Sequence, residues 1–379
     1  MKVIFEKHSL IEKLSPAMCA VSTKNTFTSI EGVLIETIDD KACRLSTYDM
    51  EKGVCATVES TVIEPGSNII NAHRFFQIVR MMPQDTITVE INEKLLATIT
   101  SGKSSFSLHA LNGRDFPTLP ELSGINNFCL ESGILKGLIN KTSHSIAVQD
   151  MRPMLCGGYF EIDNDRITVV ACDSYTLAKC EVISKINQSE ENLSLSFIVP
   201  GKSLNELQKL LPDGEDVVSI SLARKHIIFN IGEIIFFSRL IDSDYIDYKR
   251  IIPKDQPINV VISRNEMIEG LERAALVSED KSAGSVRSYV KCSFEDNLLK
   301  LSSTSINGNV YDEISCEHSG GKIEIGFNCR YLLESLRAAT TEKVRIKLIS
   351  PLMSMTIEPE NFDENDNFLY MVLPVKMKD

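Results

Sequence analysis

No Cys-x-x-Cys pair occurs in the chain, although it holds ten cysteines. Several of them (Cys19, Cys55, Cys180, Cys292) sit inside apolar stretches, where a free thiol behaves as a small hydrophobe. That spacing argues against structural zinc and against a disulfide framework, and it points to a reducing, cytoplasmic setting. No apolar run reaches the roughly 18 to 20 residues that a membrane helix needs. Charge at Lys2, Glu6 and Lys7 comes too early for a signal peptide. The six histidines (8, 73, 109, 144, 226 and 318) form no His-Glu-x-x-His, and no Gly-x-Ser-x-Gly elbow is present. Gly102-Lys103-Ser104 and Gly201-Lys202-Ser203 resemble the end of a phosphate-binding loop, but Ala97 and Ser196 stand where its first glycine belongs, so both read as turns. Gly320-Gly321 leads into a strand and reads as a turn, not a dinucleotide fingerprint. Asp39-Asp40 and Asp163-Asn164-Asp165 read as turn formers. No cofactor or metal motif is legible, and an enzyme would have to assemble its site from sequence-distant residues.

What the chain does have is threefold internal repetition. Its 379 residues state one pattern three times: an amphipathic helix, apolar strands, a second short helix, then a strictly alternating strand. The first helices centre on Leu10/Leu14, Ile134/Leu138 and Met267/Leu271. The second helices centre on Phe75/Ile78, Leu204/Leu207 and Leu333/Leu336. The alternating strands are Ile87/Val89/Ile91, Val218/Ile220/Leu222 and Val344/Ile346/Leu348, each with its apolar set on one face. Proline-bearing turns around Phe116-Pro117-Thr118-Leu119-Pro120 and Ile252-Pro253-Lys254-Asp255-Gln256-Pro257 separate the copies as short, stiff linkers. The expected domains are residues 1–122, 127–253 and 257–379. The fold class is α+β, three tandem copies of one domain, and three copies in a line suggest an arc that closes as a ring.

A formal net charge of −12 lacks the basic excess usual in nucleic-acid proteins. Its distribution is more telling. The second helices carry His73, Arg74 and Arg80; Lys202 and Lys209; and Arg330 and Arg337. Residues seven apart lie about two helical turns apart and share a face. The first helices add Lys7, Lys13, Lys136, Lys141 and Arg273. These are either ordinary solvated faces or one cationic surface within an acidic body, which would contact phosphates without reading sequence.

Six stretches carry a family resemblance. They are Gly113-Arg114-Asp115-Phe116-Pro117-Thr118-Leu119-Pro120; Gln149-Asp150-Met151-Arg152-Pro153-Met154-Leu155-Cys156-Gly157; Cys172-Asp173-Ser174-Tyr175-Thr176-Leu177-Ala178; Ser238-Arg239-Leu240-Ile241-Asp242 through Asp247-Tyr248-Lys249-Arg250; Gly326-Phe327-Asn328-Cys329-Arg330-Tyr331-Leu332-Leu333; and Met371-Val372-Leu373-Pro374-Val375-Lys376. In this order they make the chain resemble the bacterial DNA polymerase III beta subunits, the DNA sliding clamps, over essentially its whole length. The resemblance implies DNA-clamp domains with two inner helices and outer antiparallel sheets, in crescent protomers that pair head to tail as a homodimeric ring around double-stranded DNA. It implies no catalysis, cofactor or membrane contact. The implied partners are the DNA polymerase III alpha subunit, the clamp loader, and other DNA polymerases and repair proteins.

Carried over by position, the resemblance assigns DNA contact to Lys24, His73, Gln149, Pro153 and Met154. The charge pattern adds Arg74, Lys202 and Arg330. A cleft for a short hydrophobic partner peptide would be walled by Leu155, Cys172, Ser174, Tyr175, Thr176, Leu177, Ile246, Ile251, Val372, Leu373, Pro374 and Val375, with Arg152 at its edge. The subunit contact would join Phe106 and Leu108 to Leu276 and Val277 of the other chain. Ordinary core packing is the alternative for the last four and for the strand Val372–Val375. Pro153 and Met154 stand where some relatives have bulkier polar aromatics. Ile246 replaces a common proline, and Tyr175 and Thr176 a frequent histidine and arginine, so partner preferences of its own are implied.

Overall fold

The computed structural model describes residues 1–22, 28–122, 126–184, 187–188, 193–278, 289–305, 308–363 and 367–377. The first third runs β1 (Lys2–Glu6), α1 (Lys7–Ala17), β2 (Gly32–Thr37), β3 (Ala42–Tyr48), β4 (Lys52–Glu64), β5 (Ser67–Asn71), α2 (Ala72–Met81), β6 (Thr86–Ile91), β7 (Leu96–Ser101) and β8 (Ser104–Asn112). The middle third repeats it as β9 (Asn126–Glu131), α3 (Ser132–Thr142), β10 (Gly157–Asp163), β11 (Arg166–Cys172), β12 (Thr176–Ile183), the two-residue β13 (Asn187–Gln188), β14 (Ser194–Pro200), α4 (Gly201–Leu210), β15 (Val217–Leu222), β16 (His226–Ile231) and β17 (Ile234–Arg239). A short helix, α5 (Tyr248–Ile251), precedes the last third. That third runs β18 (Ile258–Ser263), α6 (Arg264–Ser278), β19 (Val290–Glu295), β20 (Leu298–Ser305), β21 (Gly308–Ser319), β22 (Ile323–Phe327), α7 (Cys329–Ala338), β23 (Lys343–Leu348), β24 (Met355–Pro359) and β25 (Asn367–Val372).

The sequence periodicities correspond to these elements. In β6 and β23 every second residue is buried (Ile87, Val89 and Ile91; Val344, Ile346 and Leu348), as one core-facing side of a strand requires. Leu10 and Leu14 of α1 and Met267 and Leu271 of α6 are fully buried. In α3 the buried set is Leu135, Leu138 and Ile139, while Ile134 stays partly exposed, so its apolar face lies one residue later than the spacing predicted. Gly201-Lys202-Ser203 is also corrected: it is the first turn of α4 directly after β14, because it continues a 3.6-residue pattern through Leu204 and Leu207. Gly102 does sit in a turn, at φ +57°.

Two compact units result: residues 1–133, 187–189 and 206–240, and residues 134–186, 190–205 and 241–379. In the first, all strands join one antiparallel sheet in the order β1-β6-β7-β8-β5-β2-β3-β4-β17-β16-β15-β9-β13. In the second, the order is β14-β10-β11-β12-β25-β24-β23-β18-β21-β20-β19-β22. The middle third is thus shared out, its β9 and β15 to β17 extending the sheet of the first third and its β10 to β12 that of the last. One core gathers Leu10, Leu14, Phe75, Val79, Ile87 and Val89 under α1 and α2. Another gathers Met267, Leu271, Leu332, Leu336, Val344 and Ile346 under α6 and α7.

Candidate functional site

Each unit contains one place where a strand of one third pairs with a strand of the next, and the two places share a backbone plan. In the first, β4 pairs with β17, with Lys52 opposite Ser238, Gly53 opposite Phe237 and Val54 opposite Phe236. In the second, β12 pairs with β25, with Thr176 opposite Val372, Leu177 opposite Met371 and Ala178 opposite Tyr370. The turn before β4 is closed by Asp49, whose Oδ1 accepts from the amides of Glu51 (3.0 Å) and Lys52 (2.8 Å). The turn before β12 is closed by Asp173, whose Oδ1 accepts from the amides of Tyr175 (2.9 Å) and Thr176 (2.7 Å). Met50 and Ser174, next in each turn, both have positive φ, +76° and +78°. The next carbonyl in each accepts from the end of the incoming strand, Glu51 from Arg239 (2.8 Å) and Tyr175 from Leu373 (2.9 Å). Tyr48 therefore corresponds to Cys172, Gly53 to Leu177 and Phe237 to Met371.

The side chains at the two junctions differ. At the first, Tyr48 packs on Phe237 with ring centroids 5.4 Å apart. The Phe237 ring covers Gly53 so closely that a Cβ there would meet it at 2.2 Å. Both aromatics are buried, and the space is filled. At the second, the smaller Cys172, Leu177 and Met371 form the floor with Leu155, Val170 and Tyr248. Met154, Tyr159, Tyr245 and Ile246 pack around that floor but stay partly exposed. Tyr245 stacks on Tyr159 at 4.7 Å. Burial raises the pKa of the Cys172 thiol, which keeps it protonated and a hydrophobe.

The remaining wall candidates lie outside this buried cluster. Tyr175 is 57 % exposed and stacks on Tyr331 at 5.6 Å. Leu373 and Val375 are exposed, the latter anchored by its amide to the Gly326 carbonyl at 2.8 Å. Val372 and Thr176 are buried in the sheet, Val372 within the core of the last third. Arg152 reaches the Ser174 hydroxyl and forks onto Asp150, Nε to Oδ1 at 3.0 Å and Nη2 to Oδ2 at 3.1 Å. Those hydrogen bonds hold the Asp150 pKa down to about 2. Ile251 is exposed and lies in an open groove of about 630 Å³ with Arg250, Pro253, Lys254 and Met353. Met371, Tyr245, Tyr248 and Tyr331 were missed from the sequence. The strand pattern marks Met371 as core, and only the register brings it beneath Leu177.

Of the DNA-contact candidates, His73 and Arg74 are exposed in the first turn of α2, where Asn71 caps the helix by accepting from the Arg74 amide at 3.0 Å. Lys202 is exposed in the first turn of α4 and Arg330 in that of α7. None of these three helices has an acid in its first turn. A cation there opposes the helix dipole by a few tenths of a kcal/mol, yet cation and free amides together attract phosphate. Gln149 and Pro153 are exposed, Met154 partly so, and Met151 beside them is fully exposed. Lys24 lies outside the described residues.

The broader cationic surface is reduced. Lys209 pairs with Glu206 (3.0 Å), Arg330 with Glu334 (2.7 Å) and Arg337 with Glu272 (2.7 Å). The first helices lose most of theirs to internal bonds: Lys7 donates to the Met82 carbonyl (2.6 Å), Lys13 pairs with Glu12 and Glu233, and Arg273 with Asp312. Of the subunit-contact candidates, Phe106 is 44 % exposed on β8 and Leu276 is 86 % exposed on α6. Leu108 packs partly on the first core, and Val277 is half-buried.

A motif of two helices and eight strands stated three times, with the two-residue β13 added in the middle copy and the sheets continuing from one copy into the next, makes this a DNA-clamp fold. Residues 1–120, 129–247 and 249–376 match the N-terminal, central and C-terminal domains of the DNA polymerase III beta subunit, and the chain belongs to that family. It is 26 % identical to the beta sliding clamp of Bacillus subtilis (strain 168), covering 99 % of this chain and 100 % of that one. The solved DNA polymerase sliding clamp from Bacillus subtilis superposes with a TM-score of 0.93 at 26 % identity over 100 % of both chains. The DNA polymerase III subunit beta from Pseudomonas aeruginosa gives 0.90 at 29 % identity, covering 99 % of this chain and 100 % of that one.

Proposed function

We propose that the chain is a sliding clamp: two copies close head to tail around duplex DNA and hold the replicative polymerase by a peptide seated in the cleft. The protein acts by enclosure and performs no reaction itself. Weak, sequence-blind phosphate contacts from His73, Arg74, Gln149, Lys202 and Arg330, with Lys24, Pro153 and Met154 beside them, suit sliding better than tight binding would. The cleft suits a short linear ligand, apolar in its anchors, with Arg152, tied to Asp150, at its edge. The polymerase III alpha subunit, the clamp loader and other polymerases and repair proteins would compete for it. The ten free cysteines fit a cytoplasmic setting.

One observation carries the ring: two strand edges are left open at equivalent places. Among the described residues, β8 pairs with β5 only over Ala110–Asn112, leaving Ser104–His109 bare on that side. β21 pairs with β18 only over Cys316–Ser319, leaving Gly308–Ser315 bare. By the repeat, β8 corresponds to β17 and β25, and β21 to β4 and β12. The internal junctions thus supply the register for a third, between copies: Phe106 opposite Val310 and Leu108 opposite Gly308. In that pairing Phe106 and Leu108 would face α6, the helix that carries the exposed Leu276 and the half-buried Val277. A junction of one open edge with a different open edge is heterologous and closes only at a fitting angle.

On circular DNA the loaded protein is expected to stay bound until the circle is cut; retention on linear DNA with free ends would reject enclosure. Reversing Lys24, Arg74, Lys202 and Arg330 together should abolish loading or sliding while leaving cleft-peptide affinity intact, which separates a clamp from a mere peptide scaffold. Leu276→Asp would bury a carboxylate against Phe106 at a cost on the order of 3 kcal/mol, and should give monomers in sedimentation.

A further inference from the structure

A buried imidazole sits where the middle and last thirds meet. His144 belongs to the 3-10 turn Ser143–Ser145 that follows α3 directly, as Met18–Ala20 follows α1. Both its ring nitrogens are buried, and neither has a hydrogen-bond partner among the described residues. Such an orphan is uncommon, because a buried N–H without an acceptor gives up its hydration and gains nothing in return. The ring stands perpendicular to that of Tyr370, centroids 5.0 Å apart. Tyr370 is fully buried and lies opposite Ala178 in the β12–β25 ladder. Its neighbour Met371 points to the other face, into the cluster with Cys172 and Leu177. His144 thus lies behind the ladder whose front carries the cleft floor.

Few groups could share a proton with it. A groove of about 570 Å³ beside it is lined by Asn140 and Lys141 of α3 and by Glu334, Arg337 and Thr340 at the end of α7. Glu334, the one carboxylate lining it among the described residues, is already bonded to Arg330 at 2.7 Å, and Arg337 to Glu272 at 2.7 Å. On the same side of the sheet β12 offers Cys180, and β11 only the apolar Ile167, Val169 and Ala171. Burial pushes the His144 pKa down to about 4. At the first junction Cys19 holds the same place, second in the turn after the helix; burial pushes that thiol up to about 12, so it stays neutral.

We infer that His144 is an acid-sensitive joint: neutral, it packs on Tyr370 and keeps the β12–β25 ladder closed, and on taking a proton from water it must leave that contact, so the ladder loosens. The first junction, with Cys19 in that place, has no such joint. A base whose pKa falls on folding binds fewer protons folded than unfolded between about 4 and 6.5. Its contribution is therefore whole above about 6.5 and declines as the pH falls.

Hydrogen exchange of the full chain, read by mass spectrometry on peptides from β12 and β25, tests the joint without reference to DNA or partner binding. The comparison is with His144→Phe and His144→Gln, neither of which can take up the proton. Below about pH 6.5 the parent should lose protection about 10-fold per pH unit relative to either variant, roughly 100-fold by about pH 4.5. Peptides from β4 and β17 should show no such difference. The His144 ring carbons, followed by NMR in the folded parent, should titrate below about pH 5. Parallel loss of protection in parent and variants, or an imidazole that titrates near 6.5 in the folded chain, overturns the inference. If neither variant folds, the imidazole titration of the parent decides alone.

Discussion

The β4–β17 and β12–β25 junctions use the same turn, the same capping aspartate and the same strand register, yet they are packed with different side chains. At the first, Tyr48 and Phe237 fill the space, and Gly53 exists to let the ring in. At the second, the smaller Cys172, Leu177 and Met371 are buried in an apolar cluster, while Tyr175, Leu373 and Val375 of the paired strands' ends are exposed. One backbone plan can therefore carry a bulky aromatic packing at one copy and a smaller apolar one at another.

That contrast can be broken from either side. The largest effect is expected from Phe237→Ala, which should cost about 3–5 kcal/mol in urea unfolding and leave cleft-peptide affinity unchanged. The equivalent Met371→Ala should cost about 2–3 kcal/mol and also weaken peptide binding, by calorimetry, because the floor under Leu177 is lost. Gly53→Ala drives a methyl into the Phe237 ring and should cost about 1–3 kcal/mol, whereas Leu177→Ala at the matching place should act mainly on the peptide. Tyr175→Ala removes a stacked pair within the protein worth about 0.5–1.5 kcal/mol and should lower the melting temperature slightly together with a small loss of peptide affinity. The smallest effect concerns pH. The carboxyl of Asp150 is held low by Arg152, so their tie is complete above the ordinary carboxylate pKa and is lost only as pH falls through about 2. Peptide affinity should accordingly show no Asp150-linked step between about pH 5 and 8; such a step, absent in Asp150→Asn, would refute it.

Much of the fold was legible because it is written in local periodicity. Ile87, Val89 and Ile91 announce a half-buried strand, and Leu10 and Leu14 a helix face, whatever the rest of the chain does. The site was less so. Cys172 and Leu177 read as core, and core they are; that they stand where Tyr48 and Gly53 stand at the other junction shows only in the register of two strands about 190 positions apart (Leu177 opposite Met371). Charge was the least legible. Lys7, Lys13 and Arg273 look like surface cations by spacing, but their side chains are long enough to reach a carbonyl or carboxylate on a neighbouring strand, and they do. Gly201-Lys202-Ser203 misled for the opposite reason: three small or polar residues resemble a loop, and the helix that follows, not the triplet, decides.

The allotment of the middle third to both sheets has a consequence for how the chain can be cut. A fragment made of that third alone would carry β17 without β4 and β12 without β25, baring a long ladder at each flank. Bare ladders recruit strands indiscriminately, so such a piece, cut from a partner strand at both flanks, should precipitate. Sequence homology divides this polypeptide in three, but its backbone hydrogen bonds make the central portion dependent on both of its neighbours for solubility.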